Sequence, residues 1–240
     1  MIKRAIQLFA NSLGYEVHKR SWFGPRDRLR MMKRLGTNFV LDVGANSGCF
    51  AAELRKDGYK GTIWSYEPLH EAFSELAKAS ESDDLWKAIN CACGAEAGNA
   101  EINVAKNIYS SSLLPMLEAH SANAPYADYV SRENISVCTL DDSVMPALKP
   151  DDKVWLKVDT QGFEAEVFKG AIHLMPHVAA LECELSMVPL YEGQALIDEL
   201  MTLIYRMGFR MVGITPVFFE RETGNQLQID GTFLRIEQAT

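Results

Sequence analysis

The sequence predicts an α/β protein: an open, doubly wound and mostly parallel sheet with an antiparallel hairpin at its C-terminal edge, preceded by N-terminal helices. Three observations predict it. A buried strand, Phe39–Val43, runs into a glycine turn and then into a helix. Strand and helix patterns alternate from there to Ile204. Beyond that point, apolar runs flank a turn at Thr223-Gly224-Asn225.

Residues 1–37 form the N-terminal part. Ile2, Ile6, Phe9 and Leu13 fall on one helical stripe ending at Gly14, which suits a docking helix, with Trp22 and Phe23 as anchors. Residues 1–34 hold nine Lys/Arg against Glu16 and Asp27, although the whole chain has a formal net charge of −8. Such a basic leader is expected to be a solvated face or to pack on its acidic body. Peripheral contact with an anionic membrane surface or acceptor is the alternative.

The main domain is expected over residues 38–240. Its first strand stops at Gly44, passes Asn46 and Gly48, and becomes helical with Phe50, Ala51 and Leu54 until Gly58. A turn of small residues at a helix N-terminus lets a ligand approach the backbone. A dinucleotide fingerprint would require glycines where Asn46 and Cys49 stand, so the turn suits a ligand without a pyrophosphate. Thr62–Tyr66 reads as the second strand and delivers Glu67, whose carboxylate can accept both hydroxyls of a ribose. Pro68 closes that strand.

A helical face follows at Leu69, Ala72, Phe73, Leu76 and Ala77. Trp86 to Cys93 reads as a third strand, placing Asn90 and Cys91 where it would meet an adenine, and Glu101–Val104 as another. The stretch 106–134 is irregular, polar and aromatic, with a short helix expected near Leu113–Ala119, and reads as a lid or acceptor loop. Within it, Ser111 and Ser112 are candidates for gripping a polyhydroxylated acceptor. His120 is a candidate general base, although a lone loop histidine is more often structural.

Order returns with Ile135–Leu140, and then Lys153–Asp159 forms a fourth parallel strand. Asp159 thus sits at a carboxyl end, where open α/β sheets bind ligands. The turn Thr160-Gln161-Gly162 leads into a helix from Phe163 to Lys169, with Glu164 and Glu166 in its first turn. His177–Leu185 is the fifth strand. Glu182 and Glu184 share one of its faces and, with Asp159, make an acidic cluster suited to a proton, a cation or a polyhydroxylated substrate. A helix over Ile197–Ile204, a strand over Phe209–Ile214 and a hairpin from Phe218 to Ile236, broken at Asp230-Gly231, complete the chain.

Composition bounds the function. With 240 residues and 48% hydrophobic content, the chain can bury one large core. No apolar run approaches the roughly 18 residues of a membrane span, and the start lacks the apolar core of a secretory signal. Five cysteines without C-x-x-C spacing point to reduced thiols in a cytoplasmic protein rather than a disulfide framework or zinc ribbon. An acidic body argues against a nucleic-acid partner.

Several motifs together carry a resemblance. Leu41-Asp42-Val43-Gly44-Ala45-Asn46, Tyr66-Glu67-Pro68, Ser110-Ser111-Ser112-Leu113-Leu114, Leu156 to Glu164, Glu184-Leu185-Ser186, Pro189-Leu190-Tyr191 and Asp230-Gly231-Thr232-Phe233 resemble the FkbM family of S-adenosylmethionine-dependent methyltransferases, over about Asn38 to Ile236. The resemblance implies a class I methyltransferase (Rossmann-like) fold, S-adenosyl-L-methionine as cofactor, and O-methylation of a sugar, glycan or natural-product hydroxyl. It implies cofactor contacts from Asp42, Gly44, Asn46, Gly48, Glu67, Pro68, Asn90, Cys91 and Asp159. Asp159 and Glu184, with His120 behind them, are the expected catalytic residues. Ser111, Ser112, Glu164 and Tyr191 are the expected acceptor contacts. Gln161 stands where the family often has Glu, which weakens any role for that side chain. The expected partner is a hydroxylated small molecule or glycan, anionic or lipid-linked acceptors included, and not nucleic acid. Mg²⁺ at Asp159 is an alternative, but no third ligand is evident and no metal is assigned. Two other classes stay open: a nicotinamide oxidoreductase, disfavoured by the missing glycines, and a non-catalytic S-adenosylmethionine-binding scaffold.

Overall fold

The computed structural model describes residues 2–12 and 25–236. Elements follow the order α1 (Ile2–Ser12), α2 (Pro25–Leu35), β1 (Phe39–Val43), α3 (Cys49–Asp57), β2 (Thr62–Tyr66), α4 (His70–Ser80), β3 (Trp86–Ile89), β4 (Ala92–Cys93) and β5 (Gly98–Ala105). They continue with α5 (Glu118–Ser121), β6 (Tyr129–Cys138), α6 (Leu140–Val144), β7 (Val154–Val158), α7 (Glu164–Lys169), β8 (Val178–Ser186), α8 (Ile197–Arg206), β9 (Phe209–Phe219) and β10 (Gln226–Arg235).

Seven strands form the main sheet in the order β3-β2-β1-β7-β8-β10-β9. The first five are parallel, and β10 runs antiparallel to both β8 and β9. The order reverses between β1 and β7, so the carboxyl ends of these two strands open the crevice in which such sheets bind ligands. β1 is buried along its whole length, as a strand covered on both faces must be. Helix α3 stops where the sequence places Gly58, whose positive φ of 99° lets its N–H reach back to the last turn.

Register decides what each face of the sheet carries. One face has Leu41, Leu156 and Leu181 in a row and joins the core that includes Phe168, Ile204 and Phe209. On the other face Val40, Trp155 and Ala180 align beneath Leu29 and Met32 of α2. One step along, that second face turns polar: Ser65, Asp42, Lys157, Glu182 and Thr232 lie side by side on five strands. A further step brings Glu184, Asp230 and Thr215 into line, with Asp159 just past the end of β7 on the same side.

Several expected elements differ. The third strand ends at Ile89; Ala92–Cys93 leaves the main sheet and pairs with β6 in a separate three-stranded sheet of order β4-β6-β5. The irregular insert is shorter than expected, because β6 begins at Tyr129 and pairs antiparallel with β5. The short helix spans Glu118–Ser121, at the C-terminal end of the expected Leu113–Ala119 stretch. β9 and β10 form one long hairpin, and Asp230-Gly231 is mid-strand, not a break. A Cβ on Gly231 would meet the Phe233 ring at 2.7 Å and Leu185 at 2.9 Å, so that glycine serves packing rather than turning. In α1, Ile6 and Phe9 are exposed and Ala10 is buried, so the expected stripe is not docked there. Leu13, Trp22 and Phe23 lie outside the described residues.

Candidate active site

The turn after β1 is shaped by close backbone contact. Gly44 has φ 77°, and a Cβ there would lie 1.8 Å from the carbonyl oxygen of Asp159, so the turns after β1 and β7 touch main chain to main chain. Asn46 follows with φ 47°, a conformation asparagine tolerates better than most residues. Its N–H donates to Glu67 Oε2 at 2.8 Å, while the N–H of Leu69 donates to Oε1 at 2.9 Å. Glu67 therefore ties the β1 turn to the start of α4. Burial pushes its carboxyl up to about 7, against the pull of those two N–H groups. The side-chain amide of Asn90 donates to the carbonyls of Glu67 and Pro68 at 2.9 Å each and fixes the end of β2.

A cavity of about 240 Å³ opens over these strand ends. Gly44, Asn46, Glu67, Pro68, Cys91 and Asp159 line it, as does Ser111. Leu69, Ile102, Ile108 and Leu113 supply an apolar wall. The wall suits a planar ring and the carboxylate suits a diol, so the lining fits a nucleoside-bearing ligand.

A second cavity, of about 150 Å³, adjoins it on the α2 side and shares Asp159 with it. Lys157 Nζ lies 3.2 Å from Asp159 Oδ2 and 3.5 Å from Asp42 Oδ1. Burial works against its charge, but the carboxylates of Asp159 and Asp42 outweigh it and hold Lys157 protonated. Gln161 Nε2 donates to Asp159 Oδ1 and to Glu184 Oε2, both at 3.1 Å. Tyr191 donates its hydroxyl proton to Gln161 Oε1 at 2.8 Å, which fixes the amide's orientation. Gln228 Nε2 donates to Glu184 Oε2 at 2.8 Å. Burial first, then the neighbouring carboxylate of Asp159, raises Glu184 well above the carboxylate range and Asp230 to about 7. Together the groups can take a hydroxyl proton and hold a polar molecule beside the first cavity.

The structure brings part of the expected set together and sets the rest apart. Asp42 is fully buried beneath the turn and Gly48 caps α3 against Leu76 and Trp86, so neither lines the cavity. Ser112 donates to the carbonyl of Gln161, and Ser111 accepts the N–H of Ala105 while remaining on the lining of the first cavity. Glu164 is buried and accepts from Thr160 and Gly162, bracing the turn after β7. Tyr191 acts on Gln161 from inside the fold. His120 lines neither cavity: it is buried between Tyr191 and Phe218, its Nε2 pairs with Ser110 Oγ at 2.9 Å, and burial lowers it to about 4. Four residues that sequence reasoning gave no site role, Lys157, Gln161, Asp230 and Arg28, stand in or beside the second cavity. Among the described residues, no group of three or more His, Cys, Asp or Glu has the arrangement of a metal site, and no helix is long and apolar enough to cross a membrane.

The family described as Methyltransferase FkbM domain matches residues 42–211. No curated protein matches the chain. Solved structures similar to it include a TehB-like SAM-dependent methyltransferase from Corynebacterium glutamicum, at 8% identity over 98% of this chain and 97% of that one, TM-score 0.44. An rRNA methylase from Streptococcus thermophilus has 9% identity over 91% and 100% of the two chains, TM-score 0.45. TehB from Haemophilus influenzae has 13% identity over 88% and 62%, TM-score 0.45. With the family match covering most of the chain, this protein belongs to the FkbM methyltransferase family, and S-adenosylmethionine is its cofactor.

Proposed function

We propose that this methyltransferase O-methylates a hydroxyl of a sugar, glycan or related polyhydroxylated natural product, which enters the second cavity. The observation that carries the reading is the position of Asp159, on the lining of both cavities at the carboxyl end of β7. In the first cavity, Glu67 would hold the ribose hydroxyls through the lone pairs left free by Asn46 and Leu69, and the apolar wall would receive the adenine. Gly44 and Asn46 would leave the main chain open to the remainder of the cofactor. When bound, S-adenosylmethionine supplies a methyl group already activated on a sulfonium centre. The protein therefore needs chiefly to align an acceptor oxygen and remove its proton.

Asp159 is the group placed to receive that proton. Lys157 fixes one of its oxygens and Gln161 the other, so the carboxylate cannot swing away. Glu184, oriented by Gln161 and Gln228, would orient the acceptor's other hydroxyls. The same carboxylates disfavour a phosphate backbone in the cavity, which supports a hydroxylated acceptor over a nucleic acid. The test is methyl transfer from radiolabelled S-adenosylmethionine to a panel of hydroxylated sugars. Asp159→Asn is expected to lower turnover by about a hundredfold or more while leaving affinity for S-adenosylhomocysteine intact. Loss of cofactor binding instead would show that the role is misassigned.

A further inference from the structure

The charge balance of the second cavity narrows what enters it, on the reading that this cavity receives the methyl acceptor. Four carboxylates line it, from Asp159, Glu182, Glu184 and Asp230, against two cations, Arg28 and Lys157. Both cations are paired with carboxylates, although Arg28 Nη1, 3.6 Å from Glu53 Oε2, has no hydrogen-bond partner. Arg28 Nε donates to the two oxygens of Glu182 at 2.8 and 3.0 Å. Lys157 is held between Asp159 and Asp42. Glu184 receives only the amide donors of Gln161 and Gln228 and no cation, so in the free protein a proton, which an incoming cation can displace, balances it.

Asp230 stands opposite Glu184 on the neighbouring strand. Like charges so placed repel each other unless something cationic or a shared proton lies between them. Among the described residues, no hydrogen bond or ion pair reaches the Asp230 carboxylate. Trp155, fully buried and also on the lining, has an indole N–H without a hydrogen-bond partner. The cavity thus offers more carboxyl groups than cations, and two buried donors without a hydrogen-bond partner, Trp155 Nε1 and Arg28 Nη1, next to the carboxylate placed to take a hydroxyl proton.

We propose that the acceptor carries a protonated amine close to its reacting hydroxyl, as an amino sugar or amino alcohol does. The ammonium sits between Glu184 and Asp230 and the hydroxyl lies at Asp159. A neutral polyol supplies hydrogen-bond donors but leaves the excess of carboxyl groups over cations unmet, and a uronate or phosphate adds to it. An ammonium has no lone pair, so the amine is held while the oxygen is methylated.

The experiment titrates the S-adenosylhomocysteine complex with glucosamine, N-acetylglucosamine and glucose at neutral pH by calorimetry, alongside transfer assays with radiolabelled S-adenosylmethionine. Glucosamine is expected to bind about tenfold or more tightly than the other two, the scale of one charge-assisted hydrogen bond. Asp230→Asn should erase that preference without changing affinity for S-adenosylhomocysteine. Equal binding of the three sugars by the native protein overturns the proposal and leaves the two-cavity reading standing. A glucosamine preference that survives both Asp230→Asn and Thr215→Trp, a change that narrows the cavity, places the acceptor elsewhere and overturns the reading beneath it.

Discussion

Replacing Glu67 by glutamine removes an ionisable group from the wall of the cofactor cavity and changes its size very little. Burial raises the native carboxyl from an ordinary 4.5 to about 7, a shift equivalent to about 3 kcal/mol. Because the folded protein favours the protonated form, that contribution is fully present below about pH 4.5 and is lost as pH rises through about 7. Glutamine does not titrate, but its single carbonyl oxygen must serve two N–H donors, from Asn46 and Leu69. Leaving one of them unpaired costs about 1–3 kcal/mol at every pH. Glu67→Gln should therefore be less stable than the native protein near pH 5 and about equal to it near pH 8. Urea unfolding of both proteins across that range measures the difference, and the other titrating groups cancel in it. A gap that stays constant with pH would mean that Glu67 does not change protonation there, and the account of its burial would be wrong.

Three further changes probe the neighbouring groups. Gln161→Glu puts a third carboxylate between Asp159 and Glu184 and removes the donor that joins them, so a loss of about 1–3 kcal/mol is expected at neutral pH, partly recovered in acid where a proton replaces the amide hydrogen; thermal melts at two pH values check it. Gly44→Ala drives a Cβ into the Asp159 carbonyl at a positive φ, for a cost of about 2–5 kcal/mol and lost S-adenosylhomocysteine binding, read by denaturation and calorimetry. Removing a general base costs about a hundredfold or more in rate; His120→Phe should leave transfer largely unchanged and lower only stability, which a rate assay beside a melt will separate.

How much of this was readable depended on whether a residue's role is local. The strand, turn and helix around Gly44, and Glu67 at the end of β2, were legible because adjacent residues define them. The shared face of Glu182 and Glu184 was legible from the two-residue period of a strand. Lys157 was not: within Lys153–Asp159 it is one polar residue in an apolar run, and its function comes from the register that sets it beside Asp42 of β1. Asp230-Gly231 has the composition of a turn, yet it lies mid-strand because β10 inserts between β8 and β9. Gln161 departs from the family pattern, which hides its role in the sequence: its amide donates to two carboxylates at once, which a glutamate could not do. The early start of β6 was hidden because Tyr129–Asn134 alternates polar and apolar residues too weakly to declare a strand without β5 beside it.

The two cavities draw on very different lengths of chain. The first is lined by residues between Val43 and Phe163, whereas the second runs from Arg28 to Thr232 and closes only when β10 slides between β8 and β9. On the ribosome, the groups that capture the methyl donor thus emerge well before the strand that finishes the acceptor's side. Newly made chains should pass through a stage in which donor capture is assembled and acceptor capture is not. Arrested nascent chains that expose residues only up to Ser186, compared by limited proteolysis with chains exposed to Ile236, would show that order of assembly directly.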